Sequence, residues 1–280
     1  MSLIVSLSTI PPRFSDLQPA LEGLLRQTAP VDEIRLYIPK AYRRFPDWDG
    51  QLPDVPKGIN IIQPEEDIGP ATKALFAARE LAGTDADLIY CDDDRIYHPR
   101  WIEQMIAARG PRSDIAVTTS ALGQAHRAGI LAPSRHGPPP VRARFTDFTQ
   151  AHMWALLKRK LRQLLTGHIV PKPNGLLRYA KPGFVHVAEG FGAVLVKPDF
   201  FDETMFDIPP VLWSVDDIWL SGHLERKGIG ILCASGFAIP PTTGAHDQAA
   251  LASNVFDGAD RSEANAACVK YMQETYGIWL

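Results

Sequence analysis

Short apolar runs of strand length alternate with helical stretches along the N-terminal part of the chain, and this rhythm restricts the fold more than any other feature. Residues 3–8 (LIVSLS) read as a strand. Residues 15–27 read as a helix, with Leu17, Leu21, Leu24 and Leu25 on one face and Ser15 as the expected N-cap. Residues 33–39 (EIRLYIP) and 59–63 predict two further strands, the second after a loop punctuated by Pro and Gly. Pro70 then falls at an expected first helical position, ahead of strong helix formers over 71–81. Residues 87–91 (DLIYC) predict a fourth strand that runs directly into Asp92, Asp93 and Asp94; Trp101, Ile102, Met105 and Ile106 open another helix. Such an order of elements predicts an α/β fold, a mostly parallel central sheet flanked by helices. Ligands of these sheets collect at the carboxyl ends of the strands, so the three aspartates fall where a ligand is expected.

Regular structure is expected again as a strand over 185–196, a helix over 213–227, a strand over 230–234 and a last helix over 261–276. The stretch between differs in composition. Residues 126–182 carry eleven Lys and Arg against the single acid Asp147, a net +10 within a chain of net charge -3. They include a Pro-rich run at 136–140 and a candidate amphipathic helix with Trp154, Leu157, Leu161, Leu164 and Leu165 at helical spacing. The 280 residues are therefore read as one domain in three parts: an N-terminal half (1–125), a basic Pro-rich insertion (126–182) and a C-terminal half (183–280).

Composition removes several classes of function. A net charge of -3 argues against nucleic acid as a partner, which would call for a basic excess over the whole domain. Cys91, Cys233 and Cys268 are odd in number and far apart, which suggests buried apolar residues in a reducing compartment and neither a disulfide framework nor a zinc site. No apolar run approaches the roughly 20 residues needed to cross a bilayer. The N-terminus lacks a basic region and breaks at Pro11 and Pro12, so it reads as a strand and not as a signal peptide, and a cytoplasmic location is expected.

Three carboxylates at a strand end repel one another unless a cation neutralises them. Hard divalent ions such as Mg²⁺ and Mn²⁺ take oxygen ligands and leave room for substrate phosphates. A solvated acidic turn is the other reading of Asp92, Asp93 and Asp94. Within 67–73 (DIGPATK), Asp67, a flexible glycine and a helix N-terminus with Lys73 one turn in would suit a diphosphate, although Lys73 also reads as an exposed helical residue. The small residues around Phe191 in Glu189, Gly190, Phe191 and Gly192 would let a substrate approach the backbone. Asp216 and Asp217 open a predicted helix, where acids are favourable in any case and where one of them would be placed to accept a proton.

In this order the motifs resemble the GT-A glycosyltransferases, in particular the family 2-like group. The LIVSLST strand followed by PPRF is similar to that family's first strand and nucleotide-binding loop, which implies Thr9 and Arg13 beside the base and ribose. The strand ending in DDD resembles its DxD site. That implies Asp94 as metal ligand, with Asp92 and Asp93 as ribose or supporting contacts and Asp67 and Lys73 on the donor. The segment Glu189, Gly190, Phe191, Gly192 is similar to the acceptor-side glycine-rich segment, and Asp217, preceded by Asp216, matches the catalytic base of inverting members. His246 matches a further metal ligand in a mobile flap, against the plainer reading of a solvated loop histidine. The resemblance implies a hexosyltransferase-type enzyme that uses a divalent cation (Mn²⁺ or Mg²⁺) and moves a sugar from a nucleotide-diphosphate sugar to a glycan or lipid-linked acceptor, with inversion.

Two alternatives stand beside it. A nucleotidyltransferase would carry a Gly-rich phosphate loop after the first strand, which residues 8–13 (STIPPR) lack; a non-catalytic sugar- or nucleotide-binding relative is the other. For the helix within 151–165 three uses are open: peripheral contact with the inner face of a membrane, packing on the catalytic core, and attraction of an anionic acceptor.

Overall fold

The computed structural model describes residues 2–121, 129–130, 132–143, 157–158, 160–161, 164–165, 178–249 and 261–280. Trp154, much of the 126–182 stretch and residues 250–260 lie outside them. The described residues form ten strands: β1 (Leu3–Ser8), β2 (Glu33–Tyr37), β3 (Ile59–Ile62), β4 (Asp87–Cys91), β5 (Ile115–Thr118), β6 (Val141–Arg142), β7 (Tyr179–Lys181), β8 (Gly183–Val185), β9 (Val194–Val196) and β10 (Gly230–Cys233). Eight form one sheet in the order β3-β2-β1-β4-β9-β5-β10-β8, while β6 and β7 make a separate ribbon. The first four are parallel to their neighbours. β9 is antiparallel to both β4 and β5, β10 is parallel to β5, and β8 closes the edge antiparallel to β10. All strands of the eight-stranded sheet but β9 and β8 therefore run one way, the mostly parallel α/β sheet that the sequence rhythm predicts.

The inner strands are mostly apolar and are buried along nearly their whole length, because helices cover both faces. Ile4, Leu88 and Tyr90 project into one core, with Leu75 of α2 (Thr72–Leu81), Leu220 of α4 (Asp216–Arg226) and Met272 of α5 (Arg261–Tyr276). Leu3, Val5, Leu7, Ile89 and Cys91 project into the other, with Leu21 of α1 (Gln18–Leu25) and Met105 of α3 (Trp101–Arg109). After β3 the chain crosses from one side of β1 to the other to enter β4. That reversal opens a crevice at the carboxyl ends of β1 and β4, where ligands of open α/β sheets bind.

Several local expectations need correction. Ser15 does not cap α1: it lies within a 3₁₀ turn (Pro11–Asp16), and the cap position falls on Leu17, which makes no side-chain cap bond. Pro11 and Pro12 fix φ early and start a tight turn before the helix can begin. The expected strand over 185–196 is two strands in different places, β8 at the sheet edge and β9 at its centre. Between them a 3₁₀ turn (Gly190–Gly192) and Ala193 at φ 62 bend the backbone. Pro70 sits in a separate 3₁₀ turn (Gly69–Ala71) ahead of α2. All three cysteines are buried and unpaired. Among the described residues of the expected stripe, Leu157, Leu161, Leu164 and Leu165 are exposed, so these four side chains are not packed on the rest of the domain.

Candidate active site

The chain leaves β1 through Thr9 into the 3₁₀ turn, and the turn carries Arg13 back over the end of β4. There Asp93, 2% exposed, accepts a 2.6 Å hydrogen bond from the Thr9 hydroxyl on one oxygen and a 2.5 Å bond from Arg13 Nη1 on the other. The Thr9 carbonyl is held in turn by the Tyr42 hydroxyl at 2.8 Å. Burial raises the Asp93 pKa despite Arg13 and Thr9, which pull it down. Both Asp93 oxygens are thus engaged by protein groups, and the residue locks the β1 loop to the β4 end.

Asp94 points to different partners. Its Oδ2 lies 2.9 Å from His246 Nδ1 and 3.8 Å from Arg13 Nη2. Its buried Oδ1 has no hydrogen-bond partner among the described residues, with Arg95 Nε 3.2 Å away. Backbone pairing brings His246 here across 152 residues. Ile96 N donates to Pro241 O, Thr243 N donates to Asp94 O, and Arg95 bridges Thr242. Thr243 then caps the 3₁₀ turn Gly244–Asp247 by accepting from Ala245 N, which fixes the loop that carries the imidazole.

On the other side of the cleft a buried ion network joins α2 to α4. Lys73 Nζ lies 2.5 Å from Asp92 Oδ1 and 2.6 Å from Asp216 Oδ2, with the lysine side chain 6% exposed. Lys73 is therefore not the exposed helical residue that its position in the sequence allows. Burial opposes its charge, but the two carboxylates dominate and raise its pKa well above the ordinary lysine value. Burial would raise Asp216 too; Lys73, assisted by Arg261 at 3.8 Å, overrides it and holds Asp216 ionised. Asp217 lacks that partner. Burial first, and then the charge on Asp216, push its pKa up to about 8, with Lys73 opposing. In the pair, Asp216 keeps the charge and Asp217 keeps the proton.

The glycine-rich turn closes this side. Gly190 N donates to Asp217 Oδ1 at 2.9 Å. Phe191 lines the cleft under the Arg95 guanidinium, 4.7 Å from its ring centroid. Glu189 and Gly192 do not line the cleft. Glu189 accepts from Ser120 Oγ at 2.6 Å and Arg178 at 2.9 Å, and Gly192 packs on Ser120 behind the turn. Asp67 lines the far end and is held by the backbone amides of Arg43 and Gly69; burial raises its pKa against those bonds.

Of the residues expected at the site, Thr9, Arg13, Asp67, Lys73, Asp92, Asp93, Asp94, Phe191, Asp216, Asp217 and His246 line one cleft. Tyr42, Arg44, Arg95, Trp213 and Arg261 line it as well and were not singled out from the sequence. Arg95 adjoins the aspartates, and that position was a usable signal. Arg261 arrives on the last helix, and no local pattern marks it.

No group of three or more His, Cys, Asp or Glu side chains that could hold a metal ion occurs among the described residues. Asp94 and His246 form a pair of donors, and one carboxylate oxygen there lacks a hydrogen bond. Mg²⁺ and Mn²⁺ often bind through one or two side chains and complete their shells with water and substrate phosphates. The pair fits an ion of that kind and does not fit a shell supplied by protein alone.

No family model and no curated protein matches the chain. Solved structures that it resembles include GalNAc-T7 with UDP, GalNAc and Mn²⁺, at 14% identity over 83% of this chain and 42% of that one, with a TM-score of 0.46. They also include S. aureus TarS 1-349, alone (11% identity, 84% of this chain, TM-score 0.42) and in complex with UDP (13% identity, 84% of this chain, TM-score 0.41). The chain spans 42% of the first structure and 59% of each of the others.

Proposed function

We propose that the protein is a glycosyltransferase of the GT-A kind, which transfers a sugar from a nucleotide-diphosphate sugar to an acceptor hydroxyl with inversion. The observation that carries this reading is one cleft lined both by the Asp94–His246 donor pair and by a buried, proton-holding carboxyl, Asp217. Thr9, Arg13 and Asp93 form a rigid floor at the β1–β4 crevice for the nucleoside. Asp94 and His246 would hold a divalent cation, which supplies neutralising charge to the diphosphate leaving group. Ionised Asp217 takes the proton from the acceptor hydroxyl as that oxygen bonds to the anomeric carbon. The bond from that carbon to the diphosphate oxygen breaks, and the electron pair leaves with the nucleoside diphosphate. Lys73 and Asp216 support the base without touching the reacting atoms, and Phe191 forms the acceptor wall.

The test is a thermal-shift panel of UDP, GDP, CDP and dTDP, each with and without Mn²⁺ or Mg²⁺. A ligand at a hundredfold excess over its Kd stabilises the folded state by about 2.7 kcal/mol. Stabilisation by one diphosphate only in the presence of the metal supports the reading and names the donor base. Stabilisation by none of them removes it.

A further inference from the structure

Residues 157, 158, 160, 161, 164 and 165 are helical, and the four leucines among them are left in solvent: Leu157 57%, Leu161 56%, Leu164 76% and Leu165 77% exposed. At 100° per residue the leucines fall within an arc of about 100°. Lys158 and Lys160, both exposed, stand just outside the two edges of that arc, by about 20° and about 40°. An apolar face bordered on both sides by lysines is the arrangement of a helix that lies in a lipid interface. There the leucines enter the acyl boundary while the long lysine stems carry their charges up to the headgroups. No helix among the described residues is long and apolar enough to cross a membrane, so such a helix lies on the surface.

Charge selects the occupant. Residues 126–182 hold eleven basic residues and one acid, a net +10, in a chain of net charge -3. A two-fold contact between copies would set this face against itself and bring the lysine edges together. An anionic lipid surface turns the same charges into attraction. We propose that this helix is a docking surface for anionic membranes, with the leucines inserted and Lys158 and Lys160 on the lipid phosphates.

Co-sedimentation of the full chain with vesicles tests this, using pure phosphatidylcholine and phosphatidylcholine containing about one-third phosphatidylglycerol. The wild-type protein binds the anionic vesicles and not the neutral ones. Each lysine near such a surface is worth about a fivefold change in affinity, so Lys158→Ala with Lys160→Ala weakens binding roughly 25-fold. Leu161→Glu with Leu164→Glu removes it. Both variants keep the wild-type melting temperature, because all four side chains are exposed. The proposal is overturned by absence of binding to anionic vesicles or by binding that both double variants leave intact. It is also overturned by a dimer in sedimentation velocity that the leucine variant dissociates while vesicle binding is absent.

Discussion

The backbone amide of Gly190 donates a 2.9 Å hydrogen bond to Asp217 Oδ1 and so fixes the candidate base from a segment 27 residues away. A side chain has no room there. A Cβ on Gly190 would press on Lys73 Nζ and fall 2.8 Å from Asp92 Oδ1, two members of the buried ion network. Gly190→Ala is expected to destabilise the fold by about 1–3 kcal/mol through this overpacking and to reduce transfer. Urea denaturation and initial rates measured on one preparation check both effects.

Asp217→Asn should abolish transfer, by roughly 10²–10⁴-fold in kcat or more, while donor binding persists. Wild-type-like turnover of this variant would remove Asp217 from the role of base. The pH dependence has a defined sign. With the Asp217 pKa raised to about 8 in the free protein, kcat/KM should rise with pH until that value is passed. Stability should move the opposite way. The folded state retains a proton that the unfolded chain releases near pH 4, so this contribution is complete at acid pH and fades as pH climbs towards 8. Asp217→Asn should therefore gain stability over the wild type between about pH 5 and pH 9, measured as paired denaturation midpoints.

Lys73 is held by two carboxylates with its side chain 6% exposed, which makes it a structural ion first. Lys73→Met leaves Asp92 and Asp216 without their buried cation and should destabilise the protein by about 3–5 kcal/mol. A residue that served only to bind diphosphate would leave the apo protein's denaturation curve in place, so the curve of the unliganded variant decides between the two roles.

The Asp94–His246 pair makes a graded prediction about metal. Titration of Mn²⁺ in the presence of the stabilising nucleoside diphosphate should show no saturable binding for Asp94→Ala and a Kd raised by about 10–100-fold for His246→Ala. Chelation with EDTA should cancel the thermal shift of the wild-type complex and leave the melting curve of the apo protein unchanged. Equal metal affinity in all three proteins would leave the pair as an ordinary ion pair.

The sequence exposed those parts of the architecture that obey a local rule. The strands at 3–8 and 87–91, the helix at 261–276 and the aspartates at a strand end all follow from apolar periodicity and the geometry of parallel sheets. Residues set by long-range closure were hidden. Val194 to Val196 read as a continuation of the run from Val185, yet the two ends of that run lie in different parts of the sheet, separated by the 3₁₀ turn Gly190–Gly192 and the left-handed Ala193. Lys73 gave no sign that it would be buried, since its partners Asp92 and Asp216 are 19 and 143 positions away in the chain. His246 drew notice through a family pattern; the backbone pairing of Asp94 with Thr243 that places it has no sequence signature.

The central strand β9 also sets an order of events for folding. β4 finds β1 among residues already made, but β5 has only β9 and β10 as partners, and β9 arrives 76 residues after β5 ends. A chain released after residue 125 would present β4 with one side open and β5 with no partner at all, two apolar strands ready to pair with other molecules. On the ribosome, the crevice at the ends of β1 and β4 can form early, whereas the centre of the sheet must wait for β9 to be synthesised. The cleft is thus built on parts of one sheet that are completed at different times.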